Sequence, residues 1–119
     1  MPAQTAGDVA HVDVPTCRLD ERLRDVRERV RGAGWDTCIV VDEDGVVLGR
    51  IGRKALASDD DVSAAEAMSL GPSTVRPSIG SDALVERMRE RKLTSYVVTT
   101  SDGRLVGLVR RNELEPAAG

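Results

Sequence analysis

Side chains able to do chemistry are sparse in this 119-residue chain, and they do not group. His11 is the only histidine, and no cysteine or second histidine lies beside it. Neither a metal-ligand set nor a catalytic dyad can be built around it from neighbouring sequence. Cys17 and Cys38 have no CxxC spacing. They read as small core residues rather than as reactive thiols or a disulfide framework. Asp59, Asp60 and Asp61 are consecutive. Three adjacent carboxylates on an extended chain cannot all point at one ion, so the run reads as a solvated linker. The chain contains no Gly-x-x-x-x-Gly-Lys-[Ser/Thr], no Gly-x-Ser-x-Gly and no His-Glu-x-x-His. Nothing in these residues supports catalysis, and the expectation is a protein that is not an enzyme.

Composition narrows the classes further. The net charge is −3, against the basic footprint of a nucleic-acid binder. Trp35 and Tyr96 are the only aromatic residues, too few for a platform that stacks single-stranded bases. Arg22, Arg24, Arg27, Arg29 and Arg31 are interleaved with Glu21, Asp25 and Glu28, which reads as a solvated or partner-facing helix surface rather than a DNA contact. No stretch approaches the roughly 18 apolar residues that span a bilayer, and the N-terminus lacks a charged segment followed by an apolar run. The expectation is a cytoplasmic chain without a membrane partner.

The elements that must position any site follow from an internal repeat. Shifted so that Thr5 falls on Ser63, the chain lies on itself without a gap as far as Leu56 on Leu114. Thr16/Thr74, Arg18/Arg76, Glu28/Glu86, Val40/Val98, Gly45/Gly103, Gly49/Gly107 and Arg53/Arg111 are identical pairs. Each copy begins with a capping-box pattern, Thr5-x-x-Asp8 and Ser63-x-x-Glu66, which predicts a short helical turn. A brief extended segment is predicted at Thr16–Cys17 and Thr74–Val75. A helix follows. Leu19, Leu23, Val26 and Val30 form its apolar stripe in the first copy, and Leu84 and Met88 in the second, where it ends near Leu93. Cys38–Val41, turning through Gly45 into Val46–Leu48, predicts a hairpin. Its equivalent is Tyr96–Thr99, Gly103 and Arg104–Val106. A last short helix is expected from Arg53 and from Arg111.

The segments VVDEDGVVLGRIGRKAL (40–56) and VVTTSDGRLVGLVRRNEL (97–114) resemble the C-terminal signature of CBS domains, roughly PVVD-x-x-G-x-x-x-G-[IV]-[IV]-T-x-x-D. The resemblance covers about residues 5–115 and implies a tandem CBS pair. Domain 1 would be residues 5–58, a linker 59–62, and domain 2 residues 63–115. The implied fold is α+β, with two βαββα units related by a pseudo-twofold axis and their sheets packed together. The family resemblance also implies clefts that bind AMP, ADP, ATP or S-adenosylmethionine, a homodimer, and a regulated partner protein. No cofactor beyond such a bound nucleotide is implied.

The ligand motif carries over position by position. In the family, the hydroxyl of T-x-x-D bonds phosphate and its Asp bonds the ribose. The first copy has Gly52 and Ala55 at those positions, and neither side chain can make the bond. The second has Arg110 and Glu113, a guanidinium suited to phosphate and a carboxylate suited to ribose hydroxyls. The proline of PVVD is replaced by Ile39 and Val97. The ligand residues that the resemblance implies are Thr74, Val75, Ser95, Tyr96, Val97, Arg110, Arg111 and Glu113, with Thr16 and Arg53 from the first copy. Two readings stay open. One is an energy-sensing regulatory module that binds an adenine nucleotide. The other is a structural dimerisation scaffold without a ligand, in which Thr16 and Thr74 are strand-edge hydroxyls and Tyr96 is a half-buried strand residue.

Overall fold

The computed structural model describes residues 4–70 and 74–111, and the chain is α+β with two sheets. Helix α1 (Ala6–Val9) leads to strand β1 (Thr16–Cys17), helix α2 (Leu23–Gly32), and the hairpin β2 (Cys38–Val41) and β3 (Val47–Ile51). Helix α3 (Arg53–Leu56) closes the first copy. The order recurs with one added strand, β4: α4 (Ala64–Ala67), β4 (Ser69–Leu70), β5 (Thr74–Val75), α5 (Ser81–Glu90), β6 (Ser95–Thr99) and β7 (Leu105–Arg110). The helix expected from Arg111 onward lies outside the described residues, beyond Arg111 itself.

Local chemistry accounts for the element boundaries. The Asp8 N–H donates to Thr5 Oγ1 and the Thr5 N–H to Asp8 Oδ2, closing the capping box on α1. The Glu66 N–H donates to Ser63 Oγ at the start of α4. The hairpins turn at Gly45 and Gly103, with φ of 84° and 88°. Leu19 is not on the α2 stripe. It precedes the helix and is 40% exposed. The Glu21 N–H bonds Arg18 O, and the Arg18 N–H bonds Glu21 Oε2, so these residues form a turn and the helix starts at Leu23. The two long helices end alike. After α2, Gly34 takes φ 76° and the Trp35 N–H closes on Val30 O; after α5, Lys92 takes φ 55° and the Leu93 N–H closes on Met88 O. This is a Schellman-type cap, in which glycine is the residue without strain.

The sheets run β1-β2-β3-β4 and β5-β6-β7. β1 pairs parallel to β2 and β5 parallel to β6, which requires a crossover, supplied by α2 and α5. Both hairpins shift register at the same place, between Val40 and Val41 and between Val98 and Thr99. One core gathers Cys17, Leu23, Val26, Val30, Cys38, Val40, Ile51, Leu56 and Ala64. The other gathers Ala6, Val75, Leu84, Met88, Tyr96, Val98 and Val109.

Ala6 and Ala64 reveal a feature with no signal in the local sequence: each copy's leading helix packs with the other copy's sheet. Among the described residues, the first compact unit is residues 14–70 and the second joins residues 4–13 to residues 74–111. The exchange is made through backbone. His11 exchanges both bonds with Leu108, and its repeat equivalent Ser69 pairs with Arg50 on β3. These segments cross so closely that only glycine fits beneath them. A Cβ on Gly107 would lie 2.6 Å from His11 O, and one on Gly49 would lie 2.9 Å from Ser69 O.

Gly107→Ala is therefore expected to destabilise the chain by about 1–3 kcal/mol, since backbone must shift to admit the methyl. Lys92→Gly should act in the opposite sense, by up to about 1 kcal/mol, because it removes left-handed strain at a cap. Equilibrium urea unfolding of both variants beside wild type measures these shifts.

Candidate functional site

The pleat sorts the sequence-predicted residues between two faces of each sheet. In the second unit, Val75, Tyr96, Val98 and Val109 point into the helix-covered core. Thr74, Ser95, Val97, Thr99, Leu108 and Arg110 occupy the other face. Thr74, Val97 and Leu108 stand in one row across the sheet, and Ser95 is in register with Arg110. Val97 and Leu108 are buried on this face too, Ser95 is 9% exposed, and Thr74 is exposed. Arg110 and Arg111 are half-buried, and the Arg111 N–H donates to Thr94 O at 2.8 Å. The side chains of Val75, Tyr96 and Val97 are thus committed to packing, and what these residues can present to a ligand is backbone. Among the described residues β5 is an edge strand, and no described strand pairs with the outer backbone groups of Thr74 and Val75. Arg76 Nη1 donates to the buried Thr99 hydroxyl at 3.1 Å and pins the end of β5. Glu113 lies outside the described residues.

The first unit repeats this layout with different chemistry. Thr16, Ile39, Arg50 and Ser69 form the equivalent row across four strands. Thr16 is exposed, and its carbonyl accepts from Arg29 Nη1 at 2.8 Å. Arg53 does not share a hydrogen-bonding network with Thr16. Its side chain is 84% exposed and binds Asp36 Oδ2 through Nε and Nη2, at 3.2 and 2.7 Å. Of the implied ligand residues, then, Thr74, Val75, Ser95, Tyr96, Val97, Arg110 and Arg111 belong to the second unit, and Thr16 and Arg53 to the first.

Agreement between the copies passes over Arg50 and Thr37. Arg50 Nε donates to Thr37 Oγ1 at 3.0 Å, and the Thr37 hydroxyl donates to Ile51 O at 3.2 Å. Burial pulls the Arg50 guanidinium below its ordinary pKa, against the opposing charge of Asp36, yet an arginine stays charged. The signal in the sequence is a disagreement: Arg50 aligns with the aliphatic Leu108.

Other chemistry-bearing groups serve the scaffold. Cys17 and burial together push the Cys38 thiol well above its ordinary pKa, and both cysteines sit in the first core. Part of the arginine-rich helix surface is used within the first unit. Arg22 binds Asp61 in the acidic linker, while Arg27 donates to Leu56 O and to Ser58 O. No group of potential metal ligands is found among the described residues.

A family model described as CBS domain matches residues 6–59 and again residues 62–115. No curated protein matches the chain in sequence. Several solved structures share its fold. The cytosolic domain of the Mg2+ channel MgtE, solved in complex with ATP, superposes with a TM-score of 0.84 at 24% identity over 93% of this chain. This chain spans 47% of that one. CBSX2 in complex with AMP gives 0.83 at 18% identity over 93% of each chain; the same CBS-pair protein from Arabidopsis thaliana, in a second structure, gives 0.80. The CBS domain pair of protein MJ0100, in complex with 5′-methylthioadenosine and S-adenosyl-L-methionine, gives 0.84 at 17% identity over 95% of this chain and 94% of that one.

The position of Thr16 depends on an ion pair. Arg29 binds Glu21 and Thr16 O together, tying β1 to α2. The Arg29 hydrogen bond holds the Glu21 carboxyl below its usual range, against burial and with help from the Arg18 N–H. A depressed folded pKa adds stability that is present above the unfolded value, about 4.3, and is lost as pH falls through the folded one. Thermal melts of wild type and Glu21→Gln between neutral and acid pH should differ most at neutral pH and converge in acid.

Proposed function

This chain belongs to the CBS domain family, and from that premise we propose that it is a non-enzymatic regulatory module that binds an adenosine-containing nucleotide through its second copy. The observation that carries the reading is Arg110. It stands at the end of β7 in register with Ser95, on the face away from the helices, where the first copy has Gly52. A guanidinium there suits a phosphate, Ser95 and Thr74 add hydroxyls, and Arg111 adds a second charge nearby. The outer backbone of Thr74 and Val75 suits the hydrogen-bonding edge of a base. Glu113 would take the ribose hydroxyls. Complexes of fold relatives with ATP, AMP and S-adenosyl-L-methionine support the ligand class.

In this reading, ligand binding stabilises one conformation of the module, and a partner protein reads that population. The module works as a homodimer in the cytoplasm and senses the energy state through AMP, ADP or ATP. No described helix is long and apolar enough to cross a membrane. Gly52 and Ala55 favour a second reading, a scaffold that has lost its ligand. The two readings part in a thermal-shift series with AMP, ADP, ATP and S-adenosylmethionine. Ligand at ~100 times its dissociation constant adds roughly 2.7 kcal/mol of stability, whereas a flat response to all four supports the scaffold.

Calorimetric titration of the ligand so found, against Arg110→Ala and Glu113→Ala, tests the residues. Each variant removes a charge-assisted hydrogen bond, and each should weaken binding about tenfold or more. Unchanged affinity in both rejects the assignment.

A further inference from the structure

Both units receive a leading segment through the same backbone bonds. In the second unit the Ala6 N–H donates to Ile79 O and the Gly7 N–H to Pro77 O, each at 2.9 Å. In the first unit the repeat equivalents do the same, Ala64 to Glu21 O at 2.8 Å and Ala65 to Leu19 O at 3.1 Å. Ala6 and Ala64 are both fully buried. These shared features do not tell the two segments apart. The contact beside them does, because Gly7 lies against Pro77 where Ala65 lies against Leu19. A Cβ on Gly7 would stand 3.0 Å from Pro77 Cβ and 3.2 Å from Pro77 O. One of these atoms is backbone and the other is joined to it, and the ring fixes φ at Pro77, so neither swings aside. Backbone conformation does not call for glycine here, since Gly7 is helical and does not take positive φ. Alanine is the better helix former at such a position.

We infer that Pro77 makes the second unit's docking surface selective: it accepts the first copy's leading segment, through Gly7, and refuses the second copy's, which carries Ala65 at that place. The surface fits one kind of occupant, a segment of this chain in which glycine follows the buried alanine. The first unit's surface already holds alanine beside Leu19, so it has room for either segment. With the second surface closed to residues 63–69, a chain has one arrangement in which both surfaces are filled. Specificity here comes from a clash built against the wrong segment, since the backbone bonds are the same for both. The inference is independent of the nucleotide reading. It bears on the same strand, because the docked segment runs beside β7 through His11 and Leu108, and β7 ends in Arg110.

A double-substitution cycle on the intact chain tests this. Gly7→Ala, Pro77→Leu and the two together are compared with wild type by thermal melts and by amide hydrogen exchange. The Ala6 and His11 amides report the docked segment, since both donate across this surface, and the Val98 amide in β6 reports global opening. Gly7→Ala alone is expected to lower the melting temperature and to speed exchange at Ala6 and His11 by about tenfold or more, with a smaller change at Val98. Pro77→Leu supplies the residue that the first unit has. In that background Gly7→Ala is expected to leave exchange unchanged and to raise the melting temperature, because only the helix preference of alanine remains. Should Gly7→Ala fail to fold, its recovery by Pro77→Leu supports the inference and its lack of recovery overturns it. Equal effects of Gly7→Ala in the two backgrounds, or a Gly7→Ala chain as stable and as protected as wild type, also overturns it.

Discussion

Side-chain alternation along β2 and β6 fixes which face the described candidate residues on the strands take. β2 and β6 are buried along their whole length, so both of their faces are committed. Cys38 and Val40, like Tyr96 and Val98, meet the helices, while Ile39 and Val97 take the opposite face. A slip of one residue would exchange the two sets and bury the wrong side chains. Register is therefore held at several points: by the glycine turns at Gly45 and Gly103, by the parallel edge strands, and by a shift placed identically in both hairpins. Arg110 and Arg50 reach the outer face because this register puts them there.

A second constraint is the exchange of leading segments. Each compact unit takes its parallel strand, hairpin and long helix from one copy and its leading helix from the other, and β4 of the second copy completes the first unit's sheet. The exchange depends on two glycines, Gly49 and Gly107, over which backbone passes too closely for any side chain. A copy excised at the repeat boundary would lack the helix that fills its core, which gives a physical reason for the two copies to remain in one chain.

Much of this was legible in sequence, because the repeat, the caps and the turns are local chemistry. Thr5 and Ser63 announced their helices, and Gly45 and Gly103 their hairpins. The exchange was not legible, since nothing in residues 5–11 encodes which sheet they will join; that depends on contacts about a hundred residues away in sequence, such as His11 with Leu108. β4 escaped because two residues carry no period. Leu19 was misassigned because helical spacing cannot register the turn that Glu21 closes on Arg18. At the candidate site, matching positions pointed to Thr74 and Arg110. Arg50 became visible only once its bond to Thr37 and its half-burial were known.

The central claim is that the strand ends of the second copy bind an adenine nucleotide. Amide chemical shifts of the isotope-labelled chain during titration with ATP test it most directly. The result expected is saturable perturbation concentrated at Thr74, Ser95, Arg110, Arg111 and Glu113. Absence of perturbation at saturating ATP, or perturbation confined to the exposed surface of α2 or α5, would contradict it.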